Sequence, residues 1–295
     1  MTTSHDLPTR HTFVSQRQQM SYVDWGNPDA PPLVLVHGGR DHARSWDWVA
    51  ERLRREWHVV ALDLAGHGDS AWISNGHYTM PGHVYDLSEL IVQKLEAPVT
   101  IIGHSMGGNV SLRYTGTYPE TVARIVAIEG LGFSPKRMAE RESKPMPTRL
   151  RSWIEEKRGV IGYPAVDYET FEGALARMTE AHPQLTPEQA HHLVTHGLRQ
   201  KENGKFNWKF DPLLRAWPPY DLRLEDVAQL WRAITCPVLL VRGDKSWHTD
   251  PVEDGRTAHF ADVRSICIEG ASHWVHHDRL DEFMTVVAGF LSETT

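Results

Sequence analysis

The sequence predicts an α/β chain, with a mostly parallel sheet covered by helices on both faces and a helical insertion between two later strands. Three observations carry that expectation. Apolar runs of strand character recur along the chain, helix-like patterns fall between several of them, and the alternation stops between about Gly132 and Trp231. Short buried strands alternating with helices read as a parallel sheet shielded on both sides.

Taken in order, the strand-like runs are residues 22–25, 33–37, 58–62, 99–102, 125–129, 238–242 and 264–269. Helical patterns occupy 46–55, 83–95, 109–118 and, at the end, 278–292. The interrupting stretch has repeated prolines, many charges and helix-like pieces at 148–158, 168–181, 187–201 and 224–233. No Val/Ile-rich strand is expected within it. The domain reading is therefore a core of residues 1–131 and 233–295 with a helical cap, residues 132–232, lying as a lid over the strand ends. In sheets of this kind ligands bind beyond the carboxyl ends of the strands.

At 295 residues the chain suits one large domain, or one carrying an insertion, with a substantial core. Its formal charge of −7 argues against nucleic acid or an anionic membrane as the main partner. Two cysteines, Cys236 and Cys267, are too few for a disulfide framework, and both sit in or beside apolar segments, so both are read as buried thiols. The N-terminal MTTSHDLPTR is polar and lacks the apolar stretch of a signal peptide. No run approaches the roughly 18 apolar residues of a membrane span. The expectation is a cytoplasmic protein with a small-molecule substrate, no nucleic-acid or membrane partner, and a homodimer left open.

The strongest chemical signal is Gly103-His104-Ser105-Met106-Gly107, a G-x-S-x-G pentapeptide between the 99–102 strand and the 109–118 helix. The bare pattern is weak in a chain with 22 glycines; its placement on a strand-to-helix turn strengthens it, because such a turn exposes the serine oxygen. A serine hydroxyl needs a base to take its proton, and the base needs a third group to orient it. After the last strand comes Gly270-Ala271-Ser272-His273-Trp274. His273 in that loop can reach back to Ser105, whereas His276 and His277 lie nearer the final helix.

At this point the chain resembles the α/β-hydrolase fold superfamily over essentially its whole length. The ordered landmarks are VLVHGG at 34–39, DLAGHGDS at 63–70, GHSMG at 103–107, PVLLVRGD at 237–244 and EGASHW at 269–274. The resemblance implies an eight-stranded sheet, a nucleophile elbow, a helical cap inserted after strand six, and a capped, esterase-like serine hydrolase without a cofactor. It also implies an oxyanion hole from two backbone N–H groups, those of Gly39 and Met106. Two such dipoles commonly lower an acyl-transfer barrier by several kcal/mol.

The triad acid departs from the commonest family pattern, which places an aspartate three residues after the glycine ending strand seven. That glycine is Gly243, and the third residue on is Ser246. Three carboxylates compete for the role. Glu129 ends the 125–129 strand and is favoured, since a charge on the strand-end rim needs a cationic or hydrogen-bonding partner; some capped relatives resemble this arrangement, with the acid after strand six. Asp244 adjoins the strand-terminal glycine and can serve its own loop. Asp250 precedes Pro251 and can cap a helix.

A serine nucleophile argues against dehalogenase or epoxide hydrolase chemistry, which would leave an ether that no triad readily hydrolyses. Acyl transfer to water is the coherent reaction, on a small or medium ester, lactone or thioester. The alternatives are a C–C bond hydrolase of aromatic breakdown using the same triad, and a non-catalytic ligand receptor on the same fold. Arg40, after His37-Gly38-Gly39, is a candidate for a substrate carboxylate, although an ion pair with Asp63, Asp69 or Glu129, or simple solvation, is favoured. Among the 11 tryptophans, Trp46, Trp247 and Trp274 are candidates to line an apolar pocket. His192 and His196 stand four apart on an expected helix, but without an H-E-x-x-H pattern or partner cysteines, so no metal is expected and a solvated lid face is favoured.

Overall fold

The computed structural model describes residues 8–162 and 166–293; most of the polar N-terminal stretch lies outside them. The chain opens with β1 (Thr9–Ser15), β2 (Gln18–Asp24) and β3 (Pro32–Val36), then α1 (Asp47–Leu53), β4 (His58–Asp63), α2 (Met80–Lys94), β5 (Val99–His104), α3 (Met106–Thr117) and β6 (Val122–Ile128). The insertion follows, with α4 (Pro135–Glu142), α5 (Met146–Gly162), α6 (Phe171–Ala181), α7 (Pro187–Gly197), β7 (Leu198–Gln200) and β8 (Phe206–Trp208). The chain then returns through α8 (Leu224–Ala233), β9 (Val238–Gly243), β10 (Val263–Ile268), α9 (Val275–Asp278) and α10 (Leu280–Leu291).

Eight strands form one sheet in the order β1-β2-β4-β3-β5-β6-β9-β10. Among the described residues of this sheet, only the β1/β2 and β2/β4 pairings are antiparallel. Strand β3 is apolar at every position because its alternate residues face two separate cores. On β3, Val34 and Val36 join the core under α2, α3 and α8, whereas Leu33 and Leu35 join the core under α1 and α10. Ile125 and Ala127 against Val126 and Ile128 repeat the division on β6.

Strand β1 carries no buried-strand signal, since TRHTFVS is mostly exposed on the sheet edge and pairs on one side only. The edge also explains a correction at the other end. Cys236 is buried, but Cys267 is exposed, because β10 is the opposite edge strand, paired on one side only and open to solvent at Arg264, Ile266 and Cys267. Within the expected cap range, the 187–201 helix stops at Gly197 and turns into the β7–β8 hairpin, which pairs Leu198 with Trp208. Helix α8, also inside that range, packs Val227, Ala228 and Trp231 into the core shared with α3. No described helix is long and apolar enough to cross a membrane.

Candidate active site

The turn from β5 into α3 is built by glycines that admit no side chain. A Cβ on Gly107 would fall 2.3 Å from the Val36 carbonyl oxygen, so α3 starts hard against the end of β3. Ser105, at the apex, adopts φ 52° and ψ −116°, a conformation costing about 1–3 kcal/mol that its surroundings must hold. Its N–H is fixed by the Ile128 carbonyl at 2.7 Å. The side chain is thereby presented to the cavity beyond the strand ends.

His273 Nε2 stands 3.0 Å from Ser105 Oγ. The loop carrying His273 is tied to the elbow by His104, whose Nε2–H donates to the His273 carbonyl at 2.9 Å. Burial holds the His104 imidazole far below its usual pKa, so it stays neutral and serves as a structural donor. Neither His276 nor His277 takes the place of His273: both are buried beside Trp46 and Trp48 respectively.

Glu129 is also held at positive φ, 53°, directly after β6. Its Oε1 accepts the Gly243 N–H at 2.9 Å and its Oε2 accepts the Ser246 hydroxyl at 2.8 Å. Oε2 lies 3.8 Å from His273 Nδ1, an attractive distance that is longer than a hydrogen bond. Ser246, where an aspartate is expected in relatives, therefore supports a carboxylate arriving from the neighbouring strand. The other two candidates are engaged elsewhere. Asp244 accepts the Gly270 N–H and pairs with Lys245, while Asp250 pairs with Arg242 and accepts the Val252 N–H.

Gly39 and Met106 both border the cavity beside Ser105, and a Cβ on Gly39 would sit 3.9 Å from Met106 Sδ. Met106 is the first residue of α3, so its N–H points out of the helix end rather than into the helical ladder. The cavity over these groups measures about 1590 Å³ and is walled partly by the inserted helices. Trp247 and Trp274 line it; Trp247 stacks on His248 at 3.8 Å and Trp274 on His182 at 4.4 Å. Trp46 does not: it is fully buried under the sheet, stacked on His276, because its position just before α1 points it into the core.

Arg40 borders the cavity and makes no ion pair with the three carboxylates proposed for it. Asp63 accepts the N–H groups of Ala43 and Asp69, Asp69 pairs with Arg10 and Lys209, and Glu129 is held as above. Burial lowers the Arg40 pKa, and the charge of Arg215, another cavity residue, adds to that effect. His192 and His196 are not a solvated face. His192 Nε2 lies 3.2 Å from Asp47 Oδ2 and 3.0 Å from the Arg44 carbonyl oxygen, fastening α7 to the start of α1. Sequence reading missed His104 and His248, whose roles arise only from contacts across the strand ends.

The chain is similar to known hydrolases along most of its length. A family model described as the alpha/beta hydrolase family matches residues 33–286. The chain is 26% identical over 285 residues to an esterase of Mycobacterium tuberculosis, an alignment spanning 94% of this chain and 87% of the relative. It is 30% identical over 243 residues to a 3-hydroxybutyrate-oligomer hydrolase of Cupriavidus necator, spanning 77% of each. The solved thioesterase domain from the curacin biosynthetic pathway shares the fold at a TM-score of 0.82 and 20% identity, over 96% of this chain and 99% of that one. With its mostly parallel eight-stranded sheet, its strained Ser105 elbow and this match over most of its length, the chain belongs to the α/β-hydrolase family and is a hydrolase.

Proposed function

We propose that the protein is a serine hydrolase of carboxylic esters that works through an acyl-enzyme on Ser105. The observation that carries this reading is the contact of 3.0 Å between Ser105 Oγ and His273 Nε2, with the buried Glu129 carboxylate on the far side of the imidazole. His273 takes the Ser105 proton as Oγ attacks the substrate carbonyl, and the N–H groups of Gly39 and Met106 receive the developing oxyanion. His273 then returns the proton to the leaving oxygen, and the acyl group remains on Ser105. Water, deprotonated by the same imidazole, cleaves the acyl ester and restores the serine. Glu129 stabilises the imidazolium formed in both halves.

The cavity speaks to the substrate. About 1590 Å³ exceeds the 300–1,000 Å³ usual for small ligands, so the site has room for a medium-sized ester, lactone or thioester. The guanidiniums of Arg40 and Arg215 on its wall, which form no ion pair among the described residues, favour a substrate that carries a carboxylate away from the scissile bond. The Cupriavidus relative is named for a 3-hydroxybutyrate oligomer, and such an oligomer is an ester of this kind.

A panel of p-nitrophenyl esters of increasing acyl length, with fluorophosphonate labelling of Ser105, tests the proposal. Turnover that depends on chain length, abolished together with labelling in Ser105→Ala, is expected. No turnover on any ester and no labelling would sink it.

A further inference from the structure

Behind the catalytic histidine the structure gathers three metal-ligating atoms: Glu129 Oε2, His248 Nε2 and His273 Nδ1. Oε2 lies 3.8 Å from each imidazole nitrogen, and all three atoms lie within 4.8 Å of one another. Ligands about 2.1 Å from a tetrahedral zinc ion stand roughly 3.4 Å apart, so movements of a few tenths of an ångström would close the Glu–His pairs on an ion. Two imidazoles and a carboxylate are a donor set that zinc accepts, and imidazole also suits copper and nickel.

Each donor is prepared for this. The Glu129 side chain is wholly buried and fixed by the Gly243 N–H and the Ser246 hydroxyl. The His248 ring is 10% exposed and stacks at 11° to the His273 ring, bringing both imidazoles to one side of the carboxylate. His273 Nδ1 is buried and has no hydrogen-bond partner among the described residues. Both histidines border the open cavity, which gives an ion a way in. Arg137, Arg242 and Arg256 are nearby cations; Arg137 is occupied over the Trp247 ring, Arg242 pairs with Asp250 and Arg256 pairs with Asp254.

We propose that Glu129, His248 and His273 form a site for a divalent transition metal whose occupancy switches the hydrolase off. The reason lies in the His273 tautomer. A metal on Nδ1 takes the lone pair there and leaves the ring proton on Nε2, which then donates to Ser105 Oγ and can no longer accept its proton. The same ion neutralises the Glu129 charge that would steady the imidazolium. The second cluster of metal-ligating side chains, Asp47, His192 and His196, is already engaged, with Asp47 bonded to Arg44 and His192 donating to the Arg44 carbonyl. It supplies the control.

The switch rests on the Ser105–His273–Glu129 reading, so the test has two readouts: calorimetry with zinc chloride alone, and p-nitrophenyl ester hydrolysis with each variant compared to its own metal-free rate. Wild-type protein should bind one zinc ion and lose turnover and fluorophosphonate labelling together, with both restored by a chelator. His248→Gln should raise the half-inhibitory zinc concentration about tenfold or more, and His196→Gln should leave it unchanged. His248→Phe, which keeps an aromatic ring on Trp247, should repeat the result, with circular dichroism reporting that each variant is folded. Unchanged inhibition in both His248 variants, or inhibition lost in His196→Gln, overturns the site. Zinc binding that depends on His248 in a protein without ester turnover would keep the site and overturn the hydrolase reading, and an active enzyme that binds no zinc would do the reverse.

Discussion

Replacing Glu129 by glutamine removes one charge while keeping the size of the side chain. The carboxylate stands 3.8 Å from His273 Nδ1 in a water-poor setting. At an effective dielectric of about 20, its attraction for the imidazolium is about 4 kcal/mol, which corresponds to a factor of about 10³ in rate. The amide adds a second effect. With its oxygen kept on the Gly243 N–H, its NH₂ group replaces Oε2 beside Ser246 and His273 Nδ1. It then favours the tautomer that carries a proton on Nε2, which is the wrong one for a base; a triad-acid amide substitution of this kind typically costs about 10⁴ in kcat. Glu129→Gln should therefore lower kcat by about 10³–10⁴ with KM little changed, measured on the best p-nitrophenyl ester, with a melting curve to show the fold persists. Asp244→Asn and Asp250→Asn should stay near wild type, since their carboxylates serve Gly270 with Lys245 and Val252 with Arg242. An active Glu129→Gln beside a crippled Asp244 or Asp250 variant would refute the reasoning.

Three further outcomes follow from the same geometry. Because Ser246 Oγ lies 2.8 Å from Glu129 Oε2, Ser246→Asp in the Glu129→Gln background should return a carboxylate to the histidine and recover kcat by about tenfold or more; no recovery in a folded double variant counts against the shared position. Arg40→Ala combined with Arg215→Ala should raise KM about tenfold for an ester with a remote carboxylate and leave its methyl-capped analogue unaffected, since a charge-assisted hydrogen bond is worth about 1.5–3 kcal/mol; equal effects on both substrates contradict the anionic subsite. The melting temperature should fall steeply between pH 6.5 and 4. Burial lowers His37 and His83 to about 4 and His42 and His277 to about 3, so across that window the unfolded chain binds more protons than the fold, and stability is lost as pH falls. Asp41 and Asp63, raised to about 7 and about 6 by burial, act in the opposite sense, but two carboxyls are outweighed by four imidazoles; a melting temperature flat from pH 7 to pH 4 would show the balance to be wrong.

The sequence shows the parts of the site that depend on where a residue stands along a strand. Ser105, Glu129 and His273 all follow the carboxyl ends of core strands, and a strand end can be read from an apolar run that stops at glycine or a polar residue. Contacts made sideways between strand ends are not written in any local pattern. Ser246 is known from sequence as a missing aspartate, yet its support for Glu129 needs β6 and β9 to be neighbours. Tryptophans show the same division: Trp46 and Trp247 have similar flanks, and only packing places one under the sheet and the other over the cavity. Edge strands are the weakest case, because β1 and the outward side of β10 lack the burial that makes an apolar run.

Intact-mass spectrometry after rapid mixing with a p-nitrophenyl ester tests the central claim, covalent acyl transfer through Ser105, most directly. The account predicts a transient mass increase equal to the acyl group, located on the peptide carrying Ser105 and absent in Ser105→Ala. Ester turnover that persists in Ser105→Ala, or an acyl adduct on another residue, would contradict it.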